Sequence, residues 1–289
     1  MSKIADVRLI RVGPAGEERP AVLDGSERAF DLRPLTDDIH SAFLAGDGIG
    51  QVRQALLAGA LPELDLEGLR IGAPVARPGK IVCIGLNYSD HARETGQQPP
   101  DEPVVFMKAP CTLIGPNDEV LIPRGSSKTD WEVELALVVG ATARYLPDPG
   151  ASRGYIAGFC VSNDVSEREF QLERGGQWDK GKSCETFQPL GPWLVPADEV
   201  PDPQDLPLRL SVNGSQRQNG NTANMIFGID YIVWYLSQFM VLEPGDVINT
   251  GTPAGVALGL PDKPYLRAGD VVELDIEGLG RQRQLIGQA

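Results

Sequence analysis

The segment DWEVELALVVG (Asp130–Gly140) puts two glutamates where charge is costly. Side chains alternate faces along a strand, so Glu132 and Glu134 share one face, about 7 Å apart. Ala136 and Val138 continue that face, while Leu135, Leu137 and Val139 line the other. Both faces turn apolar, so the strand runs into the core. Paired carboxylates at its edge repel each other and lose hydration, and a divalent cation relieves both costs. An all-oxygen donor set suits Mg2+, Mn2+ or Ca2+ better than zinc. The strand alone also allows a solvated sheet face, the usual fate of alternating charges. A third ligand is at hand in GFCVSNDVSERE (Gly158–Glu169), an apolar strand ending at Asp164. Ser166 and Glu169 have capping-box spacing, which predicts a helix start just after Asp164. An ordinary turn aspartate is the competing reading.

The chain has two histidines. His40 lies in the N-terminal region and reads as structural or exposed. His91 lies in LNYSDHARE (Leu86–Glu94), directly after a buried strand. If Ser89 or Asp90 caps a helix there, His91 and Glu94 face each other across one turn. A histidine held by a carboxylate is poised as a general base near neutral pH. A surface ion pair on a short helix fits the same spacing equally well.

Residues 176–183, GQWDKGKS, satisfy the pattern of a phosphate-binding loop. That motif requires a buried strand before it and a helix from its Lys-Ser. Polar EREFQLERGG leads in instead, reading as helix, and Pro189 leaves room for barely one helical turn after it. Trp178 stands where glycines would let backbone N–H groups close on a phosphate. A nucleotide site is rejected, and Lys182 needs another explanation or is a surface lysine.

These residues sit in a chain of 289 with 42% hydrophobic and 23% charged residues, an ordinary globular balance. The net charge of −14 repels phosphate backbones and anionic lipid, which argues against nucleic-acid and membrane partners. An anionic substrate would need a local cation. Cys83, Cys111, Cys160 and Cys184 lack C-x-x-C spacing and read as reduced thiols, mostly in the core. With no signal peptide and no apolar span, a soluble cytoplasmic protein is expected.

The first 75 residues read as a small unit. It has a strand over Ile4–Val12, a hairpin over Ala21–Leu32 turning at Asp24-Gly25, and a helix capped by Thr36 and stopping at Gly46. A second short helix covers Val52–Leu57. GDGIG (Gly46–Gly50) lacks a preceding strand and is dismissed as a dinucleotide fingerprint. Gly72–Lys80 is a linker by composition. Beyond it strands dominate: Lys80–Leu86, Val104–Met107, Trp131–Val139, Gly158–Asn163, and those fed by the turns of LEPGDVI (Leu242–Ile248) and LRAGDVV (Leu266–Val272). One helix stands out, with Ile229, Ile232, Val233, Leu236, Phe239 and Met240 at helical spacing. A β-rich α+β fold follows rather than a doubly wound sheet.

GLNYSDHARE, the EVE of DWEVELALVVG, NDVSERE and TGTPAGV (Thr250–Val256) together resemble the fumarylacetoacetate hydrolase family, from about Lys80 onward. The resemblance implies a mixed β-roll over 76–289, with 1–75 as a small N-terminal α+β domain. It implies Mg2+ or Mn2+ on Glu132, Glu134 and Asp164, and water activation by His91 and Glu94 on a short lid helix. Lys182 would contact substrate, Arg168 and Gln171 would add polar contacts, and a loop centred on Thr252 would take a carboxylate. A homodimer or higher homo-oligomer is also implied. Family reactions include acylpyruvate (such as fumarylpyruvate) hydrolysis, oxaloacetate decarboxylation and diacid isomerisation; they share a pyruvate enolate, so the fold does not choose among them. The complete His–Glu pair favours hydrolysis. GGQWDKGKSCETFQPLGPW most resembles members that cleave 2,4-diketo-3-deoxy sugar acids, such as the L-rhamnonate or fuconate derivatives, whose relatives often carry a ureidoglycolate lyase label. The expectation is a metal-dependent C–C hydrolase of such a keto acid. A non-catalytic sugar-acid binding protein with a structural metal is the alternative from another class.

Overall fold

The computed structural model describes residues 6–94 and 98–289, the side chains of residues 91–93 excepted. At its centre is a six-stranded mixed sheet. Its order is Val195–Pro196, Ile156–Asn163, Val133–Val139, Val247–Asn249, Ile81–Gly85 and Val104–Lys108. Val247–Asn249 runs parallel to Ile81–Gly85, and the other neighbours are antiparallel. All seven residues of Val133–Val139 are buried, because the strand is covered on both faces.

The two faces divide as the alternation predicts. Leu135, Leu137 and Val139 pack with Leu210, Val272 and Leu274 of a five-stranded sheet and with the helix Ile229–Ser237. That helix buries Ile229, Ile232, Val233 and Leu236, each stabilising by roughly 1.5–3 kcal/mol. Ala136 and Val138 face the other way, toward Val7, Leu9, Val22 and Leu32 of the N-terminal region. There a four-stranded antiparallel sheet pairs Val7–Val12 with both Arg19–Asp24 and Ile71–Gly72. A backbone bridge from Leu9 to Leu194, with N–H to O distances of 3.0 and 2.9 Å, joins it to the rest of the chain. The result is the β-rich α+β architecture expected. Among the described residues, no helix is long and apolar enough to cross a membrane.

Several local expectations are corrected. Residues 4 and 5 of the expected first strand lie outside the described residues. The helix after the hairpin starts at Ser41, where His40 Nδ1 accepts the Phe43 N–H at 3.2 Å; the Thr36 hydroxyl instead donates to Asp38 O. The linker-like segment is packed: Ala73, Val75 and Ala76 are buried, and Ala73 O accepts from Arg11. The Ser166–Glu169 capping box does not form. Ser166–Glu167 is a short strand paired with Thr129–Asp130, and the Ser166 hydroxyl turns back to Asp164 O at 3.0 Å. The pairing satisfies the backbone groups a helix start would have left for a cap. A π-helical turn, Glu169–Glu173, follows. Of the cysteines, only Cys83 and Cys160 are core; Cys111 is exposed and Cys184 half-buried.

Candidate metal centre and active site

Glu134 sits in the central strand and Glu132 just before it. The adjacent antiparallel strand pairs Val133 with Asn163, and continuing that register sets Asp164 beside Glu132. The Asp164 N–H donates to Glu132 O at 3.0 Å, and Asn163 Oδ1 accepts the Glu132 N–H at 3.0 Å. The three carboxylates are buried, and each offers an oxygen within 4.8 Å of the others. Gly251 supplies a further contact, donating its N–H to Glu134 Oε2 at 2.7 Å. Its φ of +98° favours glycine, and a Cβ there would lie 2.8 Å from the Asn87 side chain.

Among the described residues, three buried cations answer these charges. Lys182 Nζ stands 2.8 Å from both Glu132 Oε2 and Asp164 Oδ2. It comes from the short helical turn Asp179–Lys182 within GQWDKGKS, entered from a π-helical turn rather than a strand. Gly181 lets that turn close in, since a Cβ would meet Glu167 O at 2.4 Å and Gln171 N at 2.5 Å. Arg168 Nη2 donates to Glu132 Oε1 at 2.7 Å, Nη1 to Gln171 Oε1 at 2.9 Å, and Nε to Asp130 Oδ2 at 2.8 Å. Lys108 Nζ donates to Asp164 Oδ1 at 2.5 Å and to Val165 O at 3.0 Å.

The electrostatics follow from burial. Desolvation, reinforced by the Asp164 and Glu132 carboxylates, pushes Glu134 well above the usual carboxylate range. Burial opposes the charge on Lys182, but Asp164 and Glu132 outweigh it and raise the lysine. The linked cluster holds carboxylates Asp130, Glu132, Glu134 and Asp164 against Lys108, Arg168 and Lys182. With Glu134 protonated, three negative charges meet three positive ones. A divalent cation with Glu134 ionised would bring the formal sum to +1, the sign an anionic substrate requires. The donor set is all oxygen, converging and desolvated, so the residues fit Mg2+ or Mn2+.

The helix after Asn87 is bonded to the loop that carries Thr252. The helix Ser89–Glu94 carries His91, whose side chain lies outside the described residues. Both Glu94 carboxylate oxygens accept the Gly255 N–H, at 3.1 and 3.0 Å. Just before the helix, Asn87 donates to Thr250 O at 2.8 Å and to Phe227 O at 3.0 Å, tying the start of the helix to the Thr252 loop. The Thr252 hydroxyl donates to Val133 O at 2.9 Å and accepts from Gln218 at 2.8 Å.

A cavity of about 60 Å3 opens over Glu132, Glu134, Arg168, Gln171, Lys182 and Thr252. By volume it holds roughly four waters. Its remaining wall is apolar, built from Ile84, Phe106, Leu172, Trp178 and Leu258. Sequence reasoning passed over Lys108, Asp130 and Asn87. Lys108 had a readable signal: it shares a strand face with Phe106, and a lysine on a buried face is rare unless paired.

Comparison with known proteins bears on the family and the fold. The model of the fumarylacetoacetate (FAA) hydrolase C-terminal family matches residues 80–286. A Burkholderia multivorans protein, whose name gives a general hydrolase class and no substrate, is 53% identical over 280 residues, covering 96% of this chain and 98% of its own. Fumarylacetoacetate hydrolase from psychrophilic Exiguobacterium antarcticum superposes with a TM-score of 0.84 at 32% identity, covering 98% of this chain and 100% of that one. The 2-hydroxyhepta-2,4-diene-1,7-dioate isomerase from Mycobacterium marinum gives a TM-score of 0.76 at 31% identity, covering 98% of each chain. The fold is therefore shared by a hydrolase and an isomerase.

Proposed function

Because the chain belongs to the fumarylacetoacetate hydrolase family, we propose that it is a divalent-metal-dependent hydrolase that cleaves the C3–C4 bond of a 2,4-diketo acid and releases pyruvate. The observation that carries this reading is the buried trio Glu132, Glu134 and Asp164 with Lys182 on two of its members. A bound Mg2+ or Mn2+ would act as a Lewis acid on the keto-acid oxygens. Lys182 is placed to steady negative charge that develops beside the trio. Gln171 and Thr252 stand on the same cavity wall, and the loop around Thr252 takes the substrate carboxylate.

His91, on the lid helix, removes a proton from water as the water oxygen attacks C4. Glu94 orients the lid through its hold on Gly255. The C3–C4 bond breaks, its electron pair goes to C3, and the proton returns there. Pyruvate and a carboxylic acid result. An isomerase would not need this water step, which is why the His91–Glu94 pair supports hydrolysis.

Two readings of the distal group stand. The resemblance in 175–193 supports a sugar acid, 2,4-diketo-3-deoxy-L-rhamnonate or a relative. The apolar wall of Phe106, Leu172, Trp178 and Leu258 supports an acylpyruvate with an apolar tail. A homodimer would have a candidate face in the Tyr231, Tyr235 and Phe239 rings, the first two stacked and the last tilted against Tyr235, testable by light scattering. Pyruvate release from a panel of both substrate kinds, with and without EDTA, tests the activity. Release that survives metal removal or His91→Ala sinks the mechanism. Carbon dioxide from oxaloacetate at a comparable rate favours a decarboxylase, and binding without turnover a binding protein.

A further inference from the structure

Asp130 stands outside the carboxylate trio, yet it is fully buried and bonded on both oxygens. Its Oδ1 accepts the Trp131 and Ala257 N–H groups, each at 2.8 Å. Its Oδ2 accepts the Leu258 N–H at 3.0 Å and Arg168 Nε at 2.8 Å. Arg168 in turn donates Nη2 to Glu132 Oε1 at 2.7 Å. A single guanidinium therefore connects the loop beyond Thr252 to a member of the trio. Glu94 grips the same loop at the Gly255 N–H, and Trp131 Nε1 donates to Gly255 O at 3.1 Å.

We infer that Asp130 is a positioning residue, one that fixes Glu132 for the cation and makes the 255–258 loop part of the same rigid unit. The guanidinium is a planar fork, so anchoring Nε on Asp130 sets the direction in which Nη2 meets Glu132. Without that anchor Arg168 keeps its bond to Gln171 but loses the one that fixes Nε, and Glu132 meets a less firmly oriented partner. Outer partners of metal ligands act in this way, and losing one typically weakens metal binding about 10–100-fold. The link is reciprocal: whatever holds Glu132 must also tighten the loop, and a docked loop must favour the cation.

This inference rests on the cation reading of the site. A merely structural role would cost stability without touching metal affinity, and Asp246 offers the control. It is also fully buried, accepting the Lys80 N–H at 3.0 Å and the Glu243 N–H at 2.7 Å and pairing with Lys80 Nζ at 2.6 Å. None of those partners belongs to the trio or its cations. Mn2+ titration of the full-length protein, read by the EPR signal of free Mn2+, compares wild type, Asp130→Asn and Asp246→Asn. At position 130 an asparagine amide would face either the Trp131 and Ala257 donors or the Leu258 and Arg168 donors, donor against donor in both cases.

Mn2+ binding at least tenfold weaker in D130N, with D246N within about twofold of wild type, is the expected result. A second measurement needs no variant: hydrogen exchange at the Ala257 and Leu258 amides of the wild type should slow when Mn2+ is added. Equal Mn2+ affinity in D130N and wild type overturns the inference, as does exchange at those amides that ignores Mn2+. Wild-type protein that binds no Mn2+ at all removes the cation reading itself, and the inference with it.

Discussion

The Lys182 ammonium stands 2.8 Å from Asp164 Oδ2, and equally close to Glu132 Oε2, among the oxygens a divalent cation would share. Lysine and cation therefore repel each other while drawing on the same carboxylates. Lys182→Met should tighten Mn2+ binding by about tenfold, since it removes a competing charge from a desolvated site. The same change should lower kcat by about 100-fold or more, because charge developing on the substrate loses its donor. Metal titration and steady-state rates on one variant check both halves; weaker Mn2+ binding would contradict the competition.

Metal uptake should release a proton. Burial, then Asp164 and Glu132, raise Glu134 well above the ordinary carboxylate range, so below that raised value the metal-free site holds a proton that the cation must displace. Apparent affinity should then rise by up to tenfold per pH unit below the raised value. The stability of the metal-free protein runs the opposite way. Its folded state holds a proton the unfolded chain has lost, so this group's contribution falls as pH rises from the ordinary carboxylate range to the raised value. Calorimetry in buffers of different ionisation enthalpy counts the proton. Glu134→Gln, which mimics the protonated group, should lose both slopes.

Lys108 is expected to matter more for stability than its absence from the cavity wall suggests. Its side chain is fully buried against Asp164, and removing one partner of a buried pair typically costs about 3–5 kcal/mol. Lys108→Met should destabilise the metal-free protein by that order. Saturating Mn2+ should recover part of the loss, because a cation again faces Asp164. Thermal melts with and without MnCl2 decide; an equal loss in both conditions would show that Asp164 does not meet the metal.

Glu94 holds the helix Ser89–Glu94 to the loop through the Gly255 N–H. The side chain is only partly buried, so Glu94→Ala should change stability by less than about 1 kcal/mol. Its effect on turnover should be larger, a loss of roughly 100-fold in kcat if the lid carries the water-activating base. Pre-steady-state pyruvate release separates a slow chemical step from slow product release. An unchanged kcat would remove Glu94 from the mechanism.

What the sequence determined by itself was local. Strand alternation put Glu132 and Glu134 on one face, and the apolar residues beyond them showed that face entering the core. The same periodicity marked a helix from Ile229, though it ran on through Phe239 and Met240 where the helix ends at Ser237, and the missing strand before GQWDKGKS excluded a phosphate loop. These properties depend on backbone geometry over a few residues, so they are legible in order along the chain.

Only the tertiary structure decided what meets what. The Val133–Asn163 register brings Asp164 beside Glu132; a slip of one residue would have turned it to the other face. Lys108 reaches Asp164 across 56 positions, and Asp130 reaches the Ala257 and Leu258 amides across 127 and 128. Ser166 had the spacing of a helix cap, yet pairing with Asp130 won its backbone for a strand. Register and long-range partners come from how whole sheets bury their faces, which no short window of sequence contains.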